Sequence, residues 1–405
     1  MIPRLKPTLD GRELQAALTL PRQDDVERFE TAFAEKMNQK HGIAFPYGRT
    51  ALYLLLKALK LEDREIICPA YTCVVVPHAI VKSGNHPVFV DCQEQDFNMN
   101  LDLVLQSITE KTGAIIATSI FGYPVNLDQL DSLRKKYPHI YIIQDCAHSF
   151  AAQWKGRPVQ KEGVAAFYGL NISKIITSIF GGMITTDNDA LATKLKDARR
   201  EHLRPPTLSK SIRRLLYLLA VYPTFWTPFY TLVNCLERWG WLAKFVDYYE
   251  EEIIDMPDDF LEMMSPIEAR VGKVQLEKYD QIIAHRRHLA KLYSDHLKDL
   301  PALEPPPLIE GATYSHYVPK VNNREKLLER ALQNGLQLGW LIEYSIPQMA
   351  AYRQRYPDQP DCPFSNRFSQ ETINLPLHTN TLQALKIYSK LKKVIFNEKT
   401  DLNKQ

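Results

Sequence analysis

The sequence has little of three features that would assign it to a special class of protein. It carries six cysteines in 405 residues, without a C-x-x-C pair or a histidine at zinc-site spacing, so we expect neither a disulfide framework nor a metal site. The net charge is only +3, so the composition gives no indication of a basic surface that would bind nucleic acid. The N-terminal residues lack the continuous apolar core of a secretory signal, so we expect a cytoplasmic protein. Its thiols are expected to be reduced and mostly buried: Cys68, Cys73, Cys92, Cys146, Cys235 and Cys362.

Short apolar runs alternate with amphipathic stretches between residues 28 and 190. The runs, rich in Ile, Val and Phe, are "REIICPA", "HPVFVDC", "TGAIIATSI", "HIYIIQDC", "VAAFYGL" and "GGMITTD". The stretches "RTALYLLLKAL", "NLDLVLQSITEK" and "LDQLDSLRKKY" have the apolar spacing of helices. This alternation predicts βαβ units and a largely parallel sheet, and therefore an α/β fold.

Four side chains that can do chemistry follow these runs: Tyr71, Asp91, Asp145 and Lys174. Because ligands of parallel sheets bind at the carboxyl ends of the strands, we expect the four to converge on one edge. Lys174 stands among apolar residues, which predicts partial desolvation, a lowered amine pKa and a nucleophile for carbonyl groups. The alternative is a surface lysine whose aliphatic stem packs on the core while its amine stays in water. Asp145 is either a buried acid with a cationic partner or the cap of a following helix.

Several segments occur in the order seen in DegT/StrS-type sugar aminotransferases: "PAYTCVVVPHAIVKSGNHPVFVDCQEQDFNMN", "TSIFGYPVNLDQL", "QDCAHSF" and "SKIITSIFGGMITTD". The chain resembles that family from about residue 28 to 200 and again over 262–395. The resemblance implies a type I fold that binds pyridoxal 5′-phosphate (PLP). The large PLP-binding domain would span residues 1–200, an apolar helical insert 201–258, and a long helix with a small C-terminal α+β domain 259–405.

The resemblance also implies roles for particular residues. Lys174 matches the lysine that holds PLP covalently and then shuttles a proton between the substrate and the cofactor. Asp145 matches the acid that keeps the pyridine nitrogen protonated, and His148 matches a position that contacts the 3-oxygen side of the ring. The phosphate would bind the backbone amides of Arg49 and Thr50 at a helix N-terminus, with the Arg49 side chain adding a charge-assisted contact.

The chain departs from the family pattern at two places in this site. Cys73 stands where an aromatic residue usually stacks on the cofactor, and Tyr71 or Phe121 is the candidate replacement. The serine that often binds phosphate shortly before the lysine is missing, and Asn171 or Ser173 is expected to replace it. We therefore include Tyr71, Asn171 and Ser173 among the predicted cofactor-binding residues.

The resemblance implies amino transfer from glutamate to a nucleotide-linked keto-sugar, for surface polysaccharide or glycoconjugate synthesis, by a homodimer. Related 3-dehydratases carry His in place of the lysine, so Lys174 favours amino transfer. One alternative is an aminotransferase for a lipid-linked or membrane-held ketone. Another is a non-catalytic PLP-binding regulator or scaffold, against which the presence of Asp145, His148 and Lys174 argues.

Residues 215–236 form an uncharged, aromatic-rich stretch, longer than the roughly 18 residues typical of a membrane-span candidate. A single crossing would separate the two halves of the implied fold, and Pro223 and Pro228 interrupt a straight helix. Three interpretations stay open: a helical hairpin in a dimer interface, a lid over the substrate, or an element in the membrane interface. The flanking Arg and Lys residues favour the membrane interface, as do the tryptophans Trp226, Trp239 and Trp241.

Overall fold

The computed structural model describes residues 2–224, 230, 251–300 and 302–402, with side chains through residue 396. The helices are α1 Gly11–Leu18, α2 Asp25–Lys36, α3 Gly48–Ala58, α4 Val75–Lys82, α5 Leu101–Gln106, α6 Leu127–Lys136, α7 Asp189–His202, α8 Leu208–Thr224, α9 Pro266–Leu297, α10 Arg324–Gln333, α11 Ala350–Arg355, α12 Pro363–Glu371 and α13 Thr381–Leu402. The strands are β1 His41–Phe45, β2 Glu65–Pro69, β3 His86–Val90, β4 Thr112–Thr118, β5 Tyr141–Asp145, β6 Gln153–Trp154, β7 Arg157–Pro158, β8 Ala165–Gly169, β9 Gly182–Thr186, β10 Leu303–Glu304 and β11 Lys320–Val321. Short 3-10 turns lie at Ile120–Gly122, Val159–Lys161 and Ile346–Gln348.

The central sheet has the strand order β1-β9-β8-β5-β4-β2-β3. Its strands pair in parallel from β8 to β3, whereas β9 runs antiparallel to both of its neighbours, β1 and β8. The mostly parallel α/β sheet and each of the six strands predicted from the apolar runs are therefore confirmed. Strand β1 was not predicted, because "HGIAF" is too short and too glycine-containing to show a strand pattern.

Successive residues of each strand enter different cores, because side chains alternate between the two faces of a sheet. Ile115 of β4 packs in a core with α2, α6 and α9, whereas Ile116 packs in a core with α3, α4 and α7. The sheet is thus flanked by helices on both faces. A third core gathers the C-terminal elements from the end of α9 to α13 and includes Phe97 and Phe121 from loops of the sheet.

Both long C-terminal helices predicted from the sequence are confirmed. Helix α9 begins at Pro266, where the Glu268 carboxylate accepts hydrogen bonds from the Ser265 N–H (2.8 Å) and hydroxyl (2.9 Å). The Glu268 carboxylate thus satisfies the Ser265 N–H, a backbone donor at the start of the helix. The last predicted helix corresponds to α13. The domain boundaries at 200/201 and 258/259 stay a prediction.

Helix α8 has its amphipathic pattern inverted relative to a surface helix, whose polar side normally faces solvent. Lys210, Arg214 and Leu218 are buried, four residues apart along one side. Large apolar side chains lie exposed on the other side, namely Leu208 (77%), Ile212 (47%), Leu216 (59%) and Leu219 (42%). We call these four residues the outer stripe of α8.

Only part of the uncharged stretch 215–236 can be compared with its three interpretations. Residues 215–224 belong to α8, and Tyr230 is buried with its hydroxyl bonded to Gln337. Trp226, Trp239 and Trp241 lie outside the described residues. Among the helices that the structure does describe, none combines the length and the apolar character needed to cross a bilayer.

Candidate active site

A cleft opens where β4, β5 and β8 end, next to the N-terminus of α3. Of the residues predicted from the sequence, it is lined by Arg49, Asp145, His148, Asn171 and Lys174. Further lining residues include Tyr47, Gly48, Thr72, Cys73, Thr118 and Gly169. The predicted convergence on one sheet edge is therefore correct for Asp145 and Lys174.

Asp145 ends β5 as a buried acid. Its carboxylate accepts hydrogen bonds from the Ala147 N–H (3.0 Å) and from the Thr118 hydroxyl (3.2 Å). Burial raises the pKa of Asp145, although the Ala147 N–H and the positive charge of Lys174 oppose that rise. The alternative of a helix cap is wrong, because no helix follows within the next ten residues.

Lys174 lies in the loop between β8 and β9, and the sheet fixes both ends of that loop. Gly169 pairs with Gly182, and the Leu170 N–H donates to the Gly181 carbonyl oxygen at 2.9 Å. A side chain added at Gly169 would lie 3.5 Å from Cε of Lys174, so the lysine stem runs across the end of β8. Burial lowers the pKa of Lys174, while Cys73 and Asp145 act in the opposite direction. The amine is thus desolvated, as its apolar neighbours in the sequence indicate.

A backbone hydrogen bond indicates the tautomer of His148. The Phe121 N–H donates to Nδ1 of His148 at 3.3 Å, so Nδ1 is the acceptor and the proton of the neutral ring is on Nε2. Burial lowers the pKa of His148 well below its ordinary value, with Lys174 and His316 adding to the effect. The Phe121 ring stacks on the imidazole, with centroids 6.1 Å apart. Phe121 thus orients His148 and does not itself line the cleft.

The N-terminus of α3 forms one wall of the cleft. Tyr47 precedes the helix in extended conformation, with no side-chain cap bonded at that position, so the first-turn N–H groups are oriented for an anion. A side chain at Gly48 would approach Cα of Gly169 to 3.0 Å, so glycine avoids a tight contact with the end of β8. Arg49 lines the cleft, whereas the Thr50 hydroxyl donates to the Phe260 carbonyl oxygen at 3.0 Å. Thr50 can therefore contribute only its backbone.

Besides Phe121 and Thr50, the predicted residues Tyr71 and Ser173 do not line the cleft. Tyr71 is fully buried in the C-terminal core, where its hydroxyl bonds Oγ1 of Thr372 at 3.0 Å; its prediction as a cofactor contact is wrong because Thr72 and Cys73 occupy that wall. The hydroxyl and N–H of Ser173 both donate to Oδ1 of Asn171, at 2.7 and 3.1 Å. Ser173 thus orients Asn171, and the prediction of a direct Ser173 contact is also corrected.

Asp91 does not line the cleft either, and it has a structural role. Its carboxylate accepts hydrogen bonds from the Phe364 N–H at 2.9 Å and the Ser365 N–H at 2.8 Å, which lie in the first turn of α12. The expectation that Asp91 joins the cleft is therefore wrong. Sequence reasoning in turn missed Thr118, although it stands opposite Asp145 in the β4–β5 register and ends its own strand.

The chemistry of this donor set fits PLP. Lys174 offers an amine of lowered pKa for the aldehyde, Asp145 offers a buried carboxylate for the pyridine nitrogen, and the first turn of α3 with Arg49 offers donors for the phosphate. Nε2–H of His148 is available as a donor for the ring oxygen. Bound in such a cleft, the cofactor supplies an electron sink for breaking bonds at the carbon that bears the amine.

A model of the DegT/DnrJ/EryC1/StrS aminotransferase family matches residues 12–387. The chain belongs to this family. This aminotransferase is 24% identical over 388 residues to the GDP-perosamine synthase of Escherichia coli O157:H7, covering 93% of each chain.

Two solved structures share the fold of this aminotransferase. One is PseC of Helicobacter pylori, an aminotransferase involved in the biosynthesis of pseudoaminic acid, with a TM-score of 0.76 and 21% identity over 98% of this chain and 99% of PseC. The other is the PLP form of Spr1654 from Streptococcus pneumoniae, with a TM-score of 0.74 and 20% identity over 98% and 99% of the two chains. The type I fold and the PLP cofactor predicted from the sequence are confirmed.

Proposed function

We propose that the enzyme transfers an amino group from glutamate to a nucleotide-linked keto-sugar, for surface polysaccharide or glycoconjugate synthesis. The observation that carries the proposal is the convergence of Lys174, Asp145 and the N-terminus of α3 in one cleft of a family aminotransferase. Relatives named for GDP-linked and dTDP-linked sugars and for a spore coat polysaccharide support a sugar acceptor.

The side chains divide the work in this proposal. Lys174 would hold the cofactor through its amine and would accept and return the substrate proton, which its lowered pKa favours. Asp145 keeps the ring nitrogen protonated through a buried charged contact. His148 donates Nε2–H to the ring oxygen, and Arg49 with the first turn of α3 holds the phosphate.

Two half-reactions followed by visible absorbance test the proposal. L-Glutamate added to the PLP-loaded enzyme should convert the cofactor to its amine form, and a GDP- or dTDP-linked keto-sugar should restore the original spectrum. L-Alanine and L-aspartate are the controls for the donor, and the same keto-sugar 1-phosphate without nucleotide is the control for the acceptor. Conversion by no amino acid would support the scaffold alternative, and restoration by a lipid-linked ketone alone would support the membrane-held substrate.

We propose in addition that the enzyme is a homodimer, as the family resemblance implies. The outer stripe of α8 is apolar surface, and covering each 100 Å² of such surface is worth about 2.5 kcal/mol. An exposed leucine-rich helix can be covered by a partner subunit, by the interface of an anionic membrane, or by the substrate if the helix belongs to a lid.

Charges placed in the outer stripe should distinguish these covers. If a subunit covers it, Ile212→Glu with Leu216→Glu should turn a dimer into a monomer, because burying carboxylates is costly. A lipid cover instead predicts that the parent enzyme sediments with anionic liposomes and that the variant is released as an intact dimer. If the stripe belongs to a lid, the dimer persists and KM for the keto-sugar rises. The matched control is Ser209→Glu with Arg213→Glu, which adds carboxylates beside the stripe on the same helix.

A further inference from the structure

The buried side of α8 carries an arginine whose donors contact three residues of other elements. Nη2 of Arg214 donates to the Tyr47 hydroxyl at 2.8 Å and to Oδ2 of Asp259 at 2.7 Å, and Nε donates to Oε1 of Glu268 at 3.0 Å. Its guanidinium carbon lies 4.2 Å from the centroid of the Phe180 ring. Such multiple charge-assisted contacts fix both the position and the plane of the guanidinium.

Tyr47 links this ion cluster to the active-site cleft. It is the residue before α3, it lines the cleft, and its hydroxyl donates to Oδ1 of Asp259. Its backbone is bridged to Gly181, and a side chain added at Gly182 would lie 2.4 Å from the Tyr47 carbonyl carbon. The backbone of Tyr47 is therefore held by the end of the β8–β9 loop that carries Lys174, and its side chain is held by Arg214 and Asp259.

The segment between Asp259 and Met263 fills the space between α8 and α3. Nζ of Lys210 donates to the carbonyl oxygens of Glu262 (2.7 Å) and Met263 (3.0 Å), and the Phe260 carbonyl oxygen accepts the Thr50 hydroxyl of α3. Burial opposes ionisation of Asp259, but the Tyr47 hydroxyl and the charges of Arg214 and Lys210 together lower its pKa. Lys210 of α8 and Thr50 of α3 thus both bond the backbone of residues 259–263, which joins α8 to the first turn of α3.

We propose that Arg214 is a positioning residue for the cofactor phosphate. It fixes Tyr47, and through Tyr47 the direction in which the first-turn N–H groups of α3 point into the cleft. The inference rests on the proposed placement of the phosphate at Arg49 and the α3 N-terminus. Anion binding by backbone donors depends on sub-ångström placement, so loosening the residue before the helix should weaken the phosphate contact selectively.

The test compares two cofactors that differ only in the phosphate. Full-chain apoenzyme prepared from the holoenzyme is titrated with PLP and with pyridoxal, and the ratio of the two dissociation constants measures the phosphate contribution. Arg214→Met should weaken PLP binding roughly tenfold or more, a loss comparable to that caused at metal sites by removing a residue that orients a ligand, while pyridoxal binding changes less than about twofold. Arg213→Met, which alters the exposed neighbour on the same helix, should leave both constants unchanged.

Tyr47→Phe keeps the test decisive if Arg214→Met fails to fold. It removes one hydroxyl and leaves the pairs of Arg214 with Asp259 and Glu268 in place, so a smaller, equally phosphate-selective loss is expected. An equal weakening of PLP and pyridoxal, or no weakening, in the folded variants would show that Arg214 serves stability alone. If the phosphate does not bind at Arg49 and the α3 N-terminus, the result is different: Arg49→Met would then leave the ratio of the dissociation constants of PLP and pyridoxal unchanged.

Discussion

Lys174→Ala should abolish amino transfer and yield a folded protein whose PLP is no longer covalently held. The variant loses the amine that binds the aldehyde and the group that moves the proton, and loss of positioned proton transfer alone costs roughly 100- to 10,000-fold in rate. Turnover is measured with glutamate and a GDP- or dTDP-linked keto-sugar that restores the cofactor spectrum in the half-reaction test, and folding is measured by circular dichroism. Lys194→Ala, at an exposed lysine of α7, is the matched control and should retain full activity.

Borohydride treatment of the parent enzyme locates the covalent contact independently of turnover. Reduction should attach PLP permanently to one lysine, and peptide mapping should find it at Lys174. A label at any other lysine would overturn the assignment, as would normal turnover by Lys174→Ala.

Asp145→Asn should still bind PLP but lose most of its turnover, by roughly 100-fold or more. Asparagine can accept the hydrogen bond of the Ala147 N–H as the carboxylate does, so the local backbone should persist. A neutral amide does not stabilise a proton on the ring nitrogen, and the cofactor then loses much of its capacity to accept electrons. Retention of PLP is followed by its visible absorbance, and turnover by kcat.

Asp91→Asn is a matched control for this substitution, because both acids are buried at the ends of strands in the same sheet. Asp91 bonds the first turn of α12, and its replacement should lower the thermal midpoint while leaving kcat per folded enzyme unchanged. Near-normal kcat in Asp145→Asn, or an equal loss in both variants, would contradict the role given to Asp145.

The sequence predicted the position of Asp145 and Lys174 because both follow strands that are recognisable from composition alone. It did not predict the direction in which Tyr71 points. In the loop after β2, neighbouring residues face different sides, and Tyr71 faces the C-terminal core instead of the cleft. Thr72 and Cys73, the next two residues, line the cleft. Likewise, nothing within "GGMITTD" indicates that β9 runs antiparallel, because its direction depends on pairing with residues 41–45 and 166–169.

The orientation of α8 was also inaccessible to sequence reasoning. Composition marks its second half as apolar and therefore suggests that its leucines are buried. The structure instead buries Lys210 and Arg214, because their partners come from segments far along the chain, including Asp259 and Glu268, which lie 45 and 54 residues beyond Arg214. Only the folded chain brings these acids beside the helix, so that the buried cations are not left unpaired.

Because its pattern is inverted, α8 lies between two binding events: the binding of PLP on its inner side and the covering of the outer stripe on its outer side. Its inner side contacts Tyr47, which precedes the turn proposed to bind the phosphate, and its outer side carries the exposed outer stripe. Thermodynamic linkage requires any coupling between the two sides to be reciprocal. If a cover on the outer stripe tightens PLP binding by a given factor, loading with PLP tightens the attachment of that cover by the same factor. Cofactor supply would then regulate assembly or attachment of the enzyme without a separate regulatory site.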